Sequence, residues 1–185
     1  MAQHVCPWYL GYFLINPLRR FFHDPEEILA PYVKTGMRVL EVGPGMGYFS
    51  LALARLTGET GRVVAVDMEE RMLRRLKKRA RRAGLSGTIE PRLCTKASLA
   101  VSDLEGTMDF ALAFAVVHEV PDQKTLFAEI HRALRPQGLL LVSEPAGHVS
   151  GEEFARMLLT ARSAGFSARS SPVIARSLSA VLENG

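Results

Sequence analysis

The chain has few residues that could form covalent or metal crosslinks, since only two of its 185 residues are cysteines. Cys6 and Cys94 make neither a disulfide framework nor a CxxC pair of the kind that binds zinc. His4, His118 and His148 do not add a diagnostic ligand spacing to these cysteines, so we expect no metal site. This cysteine usage predicts a reducing, cytoplasmic location.

Long apolar runs are also scarce. The apolar run at residues 8–15 is closed by Pro17 and two arginines, whereas a membrane-spanning helix needs roughly 20 apolar residues. A signal peptide has basic residues before its apolar segment, whereas no lysine or arginine precedes this run. We therefore predict a soluble chain without a transmembrane segment.

Positive charge is concentrated in one segment. The formal net charge is +4, but eight basic residues lie within residues 71–82, which leaves the rest of the chain net negative by four charges. In this segment apolar residues recur at helical spacing, which predicts an amphipathic helix with a solvated basic face; they are Met72, Leu73, Leu76, Ala80 and Ala83. The alternative is an anionic partner such as RNA, a membrane or a phosphate-bearing substrate.

Strands and helices alternate along the chain, a pattern typical of a parallel sheet with helices on both faces. With helices between them, strands are predicted at residues 37–42, 62–67, 88–94, 108–117 and 138–145. Pro91 favours an edge position for the third strand. Ser150 and Glu153 predict a capping box for a further helix. Residues 165–184 read as two strands with no helix between them.

The stretch VLEVGPGMGYFS, residues 39–50, places glycines at every second position after an acidic residue. Ligands of open parallel sheets bind at the carboxyl ends of the strands, where glycines allow contact with the backbone. A dinucleotide-binding loop would carry its third glycine at position 48, which is Tyr48 here. The pattern predicts a smaller, less anionic ligand that excludes side chains at Gly43, Gly45 and Gly47.

This loop and the segments that follow it resemble the class I S-adenosylmethionine-dependent methyltransferases, from about Gly36 onward. The likeness rests on VLEVGPGMG at the first strand, VVAVDM at the second, MDFALAFAVVHEVPD at the fourth and LRPQGLLLVSEP at the fifth. The resemblance implies an α/β, Rossmann-like three-layer sandwich. Its seven-stranded sheet would have the order 3-2-1-4-5-7-6 with strand 7 antiparallel, which accounts for the C-terminal pair of strands.

The resemblance also implies S-adenosylmethionine as the methyl donor and S-adenosylhomocysteine as the product. The glycine loop and Glu41 would surround the methionine part, Asp67 would accept hydrogen bonds from the ribose, and Met68 would pack on the adenine. Where the family commonly has Gly-Asp-Ala after the third strand, this chain has CTKA with the uncharged Thr95. The full expected set is Glu41, Gly43, Pro44, Gly45, Gly47, Phe49, Asp67, Met68, Met72, Thr95, Phe114 and Ala115.

Catalytic candidates are less clearly marked than cofactor candidates. Methyl transfer from a sulfonium depends mainly on alignment, and a general base is needed only when the acceptor loses a proton. His118 and Glu119, after the fourth strand, are the catalytic candidates, while Glu144 and His148, after the fifth, are candidates on the acceptor side. The alternatives are a locally packed His118 and a Glu144 that merely closes its strand.

An aromatic segment precedes the motifs described above. We predict a single methyltransferase domain over residues 1–185, with an N-terminal cap at 1–23 and a cofactor-binding core at 24–185. The cap either covers the sheet or closes the site as a lid that shapes an apolar acceptor pocket. The lid residues would be Trp8, Tyr9, Tyr12 and Phe13.

These features together predict an enzyme that methylates a small, apolar organic acceptor, similar to the quinone-biosynthesis enzymes. The chain lacks the Asn-Pro-Pro-Tyr and Asp-Pro-Pro-Tyr motifs of nucleic-acid amino-methyltransferases, and the acidic cluster of magnesium-dependent O-methyltransferases. An RNA methyltransferase that uses residues 71–82, or a catalytically silent S-adenosylmethionine-binding protein, is the alternative. We expect a small molecule rather than nucleic acid as partner, and either a monomer or a homodimer.

Overall fold

Seven strands form one mixed sheet in the computed structural model, which describes residues 23–185. The strand order is β3-β2-β1-β4-β5-β7-β6, and β7 runs antiparallel to both of its neighbours. This confirms the predicted order, and it places β3 with its proline at one edge. The strands are β1 (Arg38–Val42), β2 (Arg62–Asp67), β3 (Ile89–Leu93), β4 (Met108–Phe114), β5 (Leu134–Pro145), β6 (Phe166–Ser170) and β7 (Ser177–Asn184).

Helices cover both faces of this sheet, which makes the predicted three-layer sandwich. One apolar core holds Leu29, Leu53 and Leu76 between the sheet and the first three helices. The other core holds Phe127 and Met157 between the sheet and the last two helices. The helices are α1 (Pro25–Leu29), α2 (Ser50–Thr57), α3 (Glu70–Arg82), α4 (Gln123–Ala133) and α5 (Gly151–Ser163). Within the described range no helix is long and apolar enough to cross a membrane.

The central strands β1, β2 and β4 are buried on both sides, because successive side chains of a strand point to opposite faces and both faces are covered. Val39 belongs to one core and Leu40 to the other. Glu41 lies on the Val39 face, so its carboxyl group is directed toward the side of the sheet that α2 covers. At the start of α5 the predicted capping box is present, with Ser150 and Glu153 each satisfying the backbone N–H of the other.

The prediction for the fourth strand was too long, since β4 ends at Phe114 rather than at residue 117. Ala115 adopts a left-handed φ of +56°, which turns the chain out of the sheet. One turn of 3-10 helix then spans Val117–Glu119. This turn holds His118 at the carboxyl edge of the sheet instead of extending the strand past it.

The fifth strand begins earlier than predicted, at Leu134, but its register is interrupted. Met108 pairs with Leu134 whereas Phe110 pairs with Leu139, so residues 135–138 form a bulge. The side chain of Asn184 supports this region by donating to the carbonyl oxygens of Leu134 and the neighbouring residues 131 and 135, at 2.9–3.3 Å.

The basic helix α3 has the predicted amphipathic character. Four of the five predicted apolar positions are buried, while Ala83 lies past the helix end as an exposed C-cap. Arg79 departs from the solvated face, because it is half-buried and donates to the Met46 carbonyl oxygen at 2.5 Å. The other basic side chains of the helix are exposed.

Candidate active site

A cavity of about 290 Å³ opens at the carboxyl ends of the parallel strands. Its lining comes from the loops after five strands, at residues 43–46, 67–69, 94–99, 115–122 and 145–148. Open parallel sheets bind their ligands at this edge. The volume lies near the lower end of the range for small-molecule sites.

Only one glycine of the loop after β1 leaves space for a ligand. A Cβ added at Gly43 would lie 2.6 Å from Val116 Cγ2, and one added at Gly47 would lie 2.3 Å from Leu76 Cδ1. At Gly45, where φ is +54°, an added Cβ meets no atom of residues 23–185 within 4 Å. The prediction that a ligand excludes side chains at all three glycines is therefore wrong for Gly43 and Gly47, where neighbouring protein side chains leave no room for a Cβ.

Asp67, at the end of β2, forms hydrogen bonds with both this glycine loop and the loop after β2. Its Oδ2 accepts the Gly45 N–H at 3.1 Å, and its Oδ1 accepts the Glu69 N–H at 2.9 Å. Burial raises the pKa of Asp67, and these two hydrogen bonds oppose that rise. A carboxylate oxygen can accept more than one hydrogen bond, so Asp67 can still bind hydroxyl groups in the cavity.

Glu41 is a buried carboxyl group with incomplete hydrogen bonding. Glu41 is 3% exposed, and its Oε2 has no hydrogen-bond partner among the described residues. Burial raises its pKa to about 8, an effect that the nearby Ser50 hydroxyl opposes only in part. Ser50 Oγ likewise lacks a hydrogen-bond partner in the described part of the chain. A cationic donor group from a ligand would satisfy this pair.

Aromatic and thioether side chains form the apolar walls. The Phe49 and Phe114 ring centroids lie 4.4 Å apart, and the His23 ring meets Phe114 edge-on at 5.3 Å. Met68 and Met72 line the cavity beyond β2, and Met68 is one of the few exposed large apolar side chains. Such walls suit a flat, apolar ring system.

The loop after β3 is held by hydrogen bonds of its own. The Thr95 hydroxyl accepts the Ala97 and Ser98 N–H groups at 3.3 and 3.2 Å, so it is engaged within the loop. The Glu129 carboxylate on α4 accepts from Ser98 Oγ at 2.6 Å and from the Leu99 N–H at 2.7 Å. Sequence reasoning missed Glu129, since this contact spans thirty residues and leaves no local signal.

His118, in the turn after β4, and Glu144, near the end of β5, form a hydrogen-bonded pair. Glu144 is fully buried, and its Oε1 accepts the Val116 and Val117 N–H groups at 3.3 and 2.8 Å. Its Oε2 contacts His118 Nδ1, and this hydrogen bond raises the pKa of His118. The His118 Nε2 lies 4.0 Å from Glu119 Oε1, and the His148 ring lies 6.0 Å away, edge-on.

Most of the predicted site residues that the structure describes line this one cavity. Gly47 does not, because it packs against Leu76, and Glu144 does not, because it lies beneath His118. The predicted lid residues Trp8, Tyr9, Tyr12 and Phe13 lie outside the described residues. Lining residues that the sequence analysis did not name include Val116, Val120, Pro121, Leu126 and Glu129. Within residues 23–185 no group of three potential ligands is arranged to hold a metal ion.

Comparison with known proteins identifies the family. A family model described as a methyltransferase domain matches residues 33–168. A ubiquinone/menaquinone biosynthesis C-methyltransferase from Klebsiella pneumoniae is 31% identical over 112 residues, 60% of this chain and 44% of that protein. The Escherichia coli K12 enzyme of the same name is 32% identical over the same extent. The chain thus spans less than half the length of these curated relatives.

Solved structures share the fold. A methyltransferase from Aquifex aeolicus, described as S-adenosylmethionine-dependent, superposes with a TM-score of 0.85 at 23% identity, over 96% of this chain and 97% of its own. The [4+2]-cyclase SpnF superposes with a TM-score of 0.71 at 23% identity, over 82% of this chain and 59% of its own. As the sequence motifs predicted, the chain belongs to the methyltransferase domain family, within its class I, S-adenosylmethionine-dependent group.

Proposed function

We propose that this chain methylates a small, largely apolar organic acceptor whose reacting atom loses a proton during transfer. The observation that carries this proposal is one cavity whose lining includes Gly45, Asp67 and His118. The curated relatives are named for C-methylation in quinone biosynthesis. A carbon acceptor must release a proton, which agrees with a base in the lining of the cavity.

The residues around Gly45 fit the methyl donor. S-adenosylmethionine supplies an electrophilic methyl group on its sulfonium. The open space at Gly45 lets a ligand approach the backbone, and the unpartnered Glu41 carboxyl offers an acceptor for an ammonium group. Asp67 accepts hydrogen bonds from the ribose, and the walls formed by Phe49, Phe114, Ala115, Met68 and Met72 enclose the apolar parts.

The acceptor side carries a small polar cluster beside apolar side chains. His118 and Glu119 reach the cavity, with His148 beside them and Pro121 and Leu126 as apolar neighbours. A neutral His118 takes the proton from the acceptor, and Glu119 stabilises the imidazolium that results. These apolar neighbours favour an acceptor with few charged substituents.

Substitution of Gly45 by alanine tests the donor site directly. The new methyl group meets no atom within 4 Å in the part of the chain that the structure describes, so its main structural cost is the left-handed backbone, on the order of 1 kcal/mol. The same group fills the space through which the donor reaches the backbone. We expect S-adenosylmethionine to bind about tenfold or more weakly, a difference of about 1.4 kcal/mol measured by calorimetric titration.

Gly84→Ala is the matched control, because Gly84 also has a positive φ, +72°, and open space around it, but follows α3 outside the cavity lining. It should lose similar stability and keep its donor affinity. Equal affinities of the Gly45 and Gly84 variants, or tighter binding of NAD than of S-adenosylmethionine by the unaltered protein, would overturn the donor assignment.

A further inference from the structure

The buried Glu144 carboxylate contacts His118, and a residue that only ends strand β5 would not need this contact. Oε1 accepts both backbone N–H groups of the turn after β4, at Val116 and Val117, whereas Oε2 is used for His118 Nδ1. Burying a carboxylate is costly unless it is hydrogen-bonded, and Glu144 is 0% exposed. The residue therefore connects the rigid end of β5 to a single ring that faces the cavity.

We propose that Glu144 is a positioning residue, which holds His118 as the Nδ1–H tautomer and so leaves the Nε2 lone pair available in the cavity. The use of that lone pair as a base rests on the function proposed above. Glu144 itself does not line the cavity, so it acts only through the ring.

The tautomer follows from the chemistry of the partner. An ionised carboxylate can only accept hydrogen bonds, so the ring nitrogen that contacts Glu144 must carry the proton. Neutral imidazole carries one proton, which leaves Nε2 unprotonated. The second carboxylate near the ring, Glu119, is 4.0 Å from Nε2, beyond hydrogen-bond distance.

The surroundings of the ring come from three segments. Glu144 contributes from β5, Glu119 from the ring's own 3-10 turn, and His148 from the loop after β5. Both carboxylates favour the protonated imidazolium, and Glu144 has the larger effect. Loss of Glu144 should therefore change the ring's titration more than loss of Glu119.

The Glu144→Gln variant changes the contact that orients the His118 ring while keeping the hydrogen bonds that support the turn after β4. The glutamine oxygen can still accept the Val116 and Val117 N–H groups, so the turn after β4 keeps its support. The amide NH₂ would then face Nδ1 and donate to it, which favours the opposite tautomer with the proton on Nε2. Glu119→Gln is the matched control, since it removes the other nearby carboxylate.

The experiment is a pH titration of the 185-residue chain labelled with ¹⁵N-histidine, followed by nuclear magnetic resonance. The His118→Gln variant identifies which signal belongs to His118. We expect His118 in the unaltered protein to show the Nδ1–H tautomer and a pKa above the usual value. In Glu144→Gln its pKa should fall by roughly one unit or more, and the proton should move to Nε2. Glu119→Gln should keep the tautomer, and His131 serves as an internal reference.

An Nε2–H tautomer in the unaltered protein would overturn the proposal, and this result does not depend on whether Glu144→Gln folds. Unchanged titration and tautomer in a folded Glu144→Gln protein would overturn it as well. Because no donor or acceptor is present in this titration, its failure is distinct from a failure of the Gly45 binding test.

Discussion

Three carboxyl groups near one sheet edge, of which Glu41 and Glu144 are buried and Asp67 is half-buried, differ in their immediate partners. Glu144 accepts two backbone N–H groups and contacts a histidine. Asp67 accepts two backbone N–H groups, which oppose the rise in its pKa that desolvation causes. Glu41 has an oxygen with no partner among the described residues and is desolvated, so its pKa rises to about 8. Hydrogen bonding as well as burial therefore distinguishes Glu41 from Asp67.

The state of Glu41 predicts how stability depends on pH. Its pKa is 4.5 when exposed and about 8 in the folded protein, so the unfolded chain releases this proton first. The contribution of Glu41 to the free energy of unfolding is therefore present below about pH 4.5 and is lost as the pH rises to about 8. Since one pKa unit corresponds to about 1.4 kcal/mol, the loss is on the order of a few kcal/mol.

Glu41→Gln removes this titration while keeping the side-chain shape. We expect the variant to gain stability relative to the unaltered protein as the pH rises from 5 to 8, measured by urea unfolding at each pH. Glu152→Gln, at a site whose side chain is 90% exposed, should show no such trend. A difference between Glu41→Gln and the unaltered protein that stays constant with pH would contradict the assignment of a neutral Glu41.

At the scale of elements, the glycine loop is fixed against α3 by direct packing. Leu76 Cδ1 occupies the position that a Cβ on residue 47 would need, and Arg79 of the same helix binds the Met46 carbonyl oxygen. The basic helix thus supports the cavity wall from behind while its other basic side chains stay exposed.

A double-mutant cycle tests this packing. Gly47→Ala should destabilise the protein by about 2–4 kcal/mol, because the new methyl group overlaps Leu76 and the residue has a φ of +83°. In a Leu76→Ala background the overlap disappears, so the added cost of Gly47→Ala should fall to about 1–2 kcal/mol of backbone strain. Urea unfolding of the four proteins measures the coupling, and strictly additive effects would contradict it.

The sheet order could be predicted from sequence because each strand carries its own pattern and the family motifs fix their succession. The end of β4 could not, since the apolar Val116 and Val117 continue the strand pattern while the turn depends on a left-handed Ala115. The contact between Glu144 and His118 could not be predicted either. It requires the pairing of β4 with β5, which brings Phe114 opposite Ser143.

At the scale of the whole molecule, the fold limits where chemistry takes place without fixing which reaction occurs. A [4+2]-cyclase shares this architecture with a TM-score of 0.71, which agrees with the general separation of fold from function. The reaction proposed here therefore rests on Gly45, Asp67 and His118 rather than on the sheet. The uneven charge of the molecule is a separate feature, and the RNA alternative rests on it.

The basic face of α3 gives the molecule its net positive charge, and its exposed position fits a solvated surface. Neutralising Lys78, Arg81 and Arg82 with glutamine should leave S-adenosylmethionine affinity unchanged and alter stability by no more than about 1.5 kcal/mol in total, since each surface substitution changes it by about 0.5 kcal/mol or less. Charges near the helix C-terminus contribute only a few tenths of a kcal/mol each. We also expect the unaltered protein to lose binding to single-stranded RNA between 50 and 200 mM salt, as non-specific contacts do.

A control with the same net charge is available on the opposite face, where Lys124, Arg156 and Arg162 of α4 and α5 are exposed. Because non-specific attraction depends on total charge, both triple variants should weaken RNA binding at 50 mM salt to a similar degree. RNA binding that persists at 200 mM salt, and that only the α3 variant loses, would instead identify α3 as an RNA-binding surface. That result would favour the RNA methyltransferase over the small-molecule enzyme, since RNA binding would then depend on where the positive charge lies rather than on the total charge.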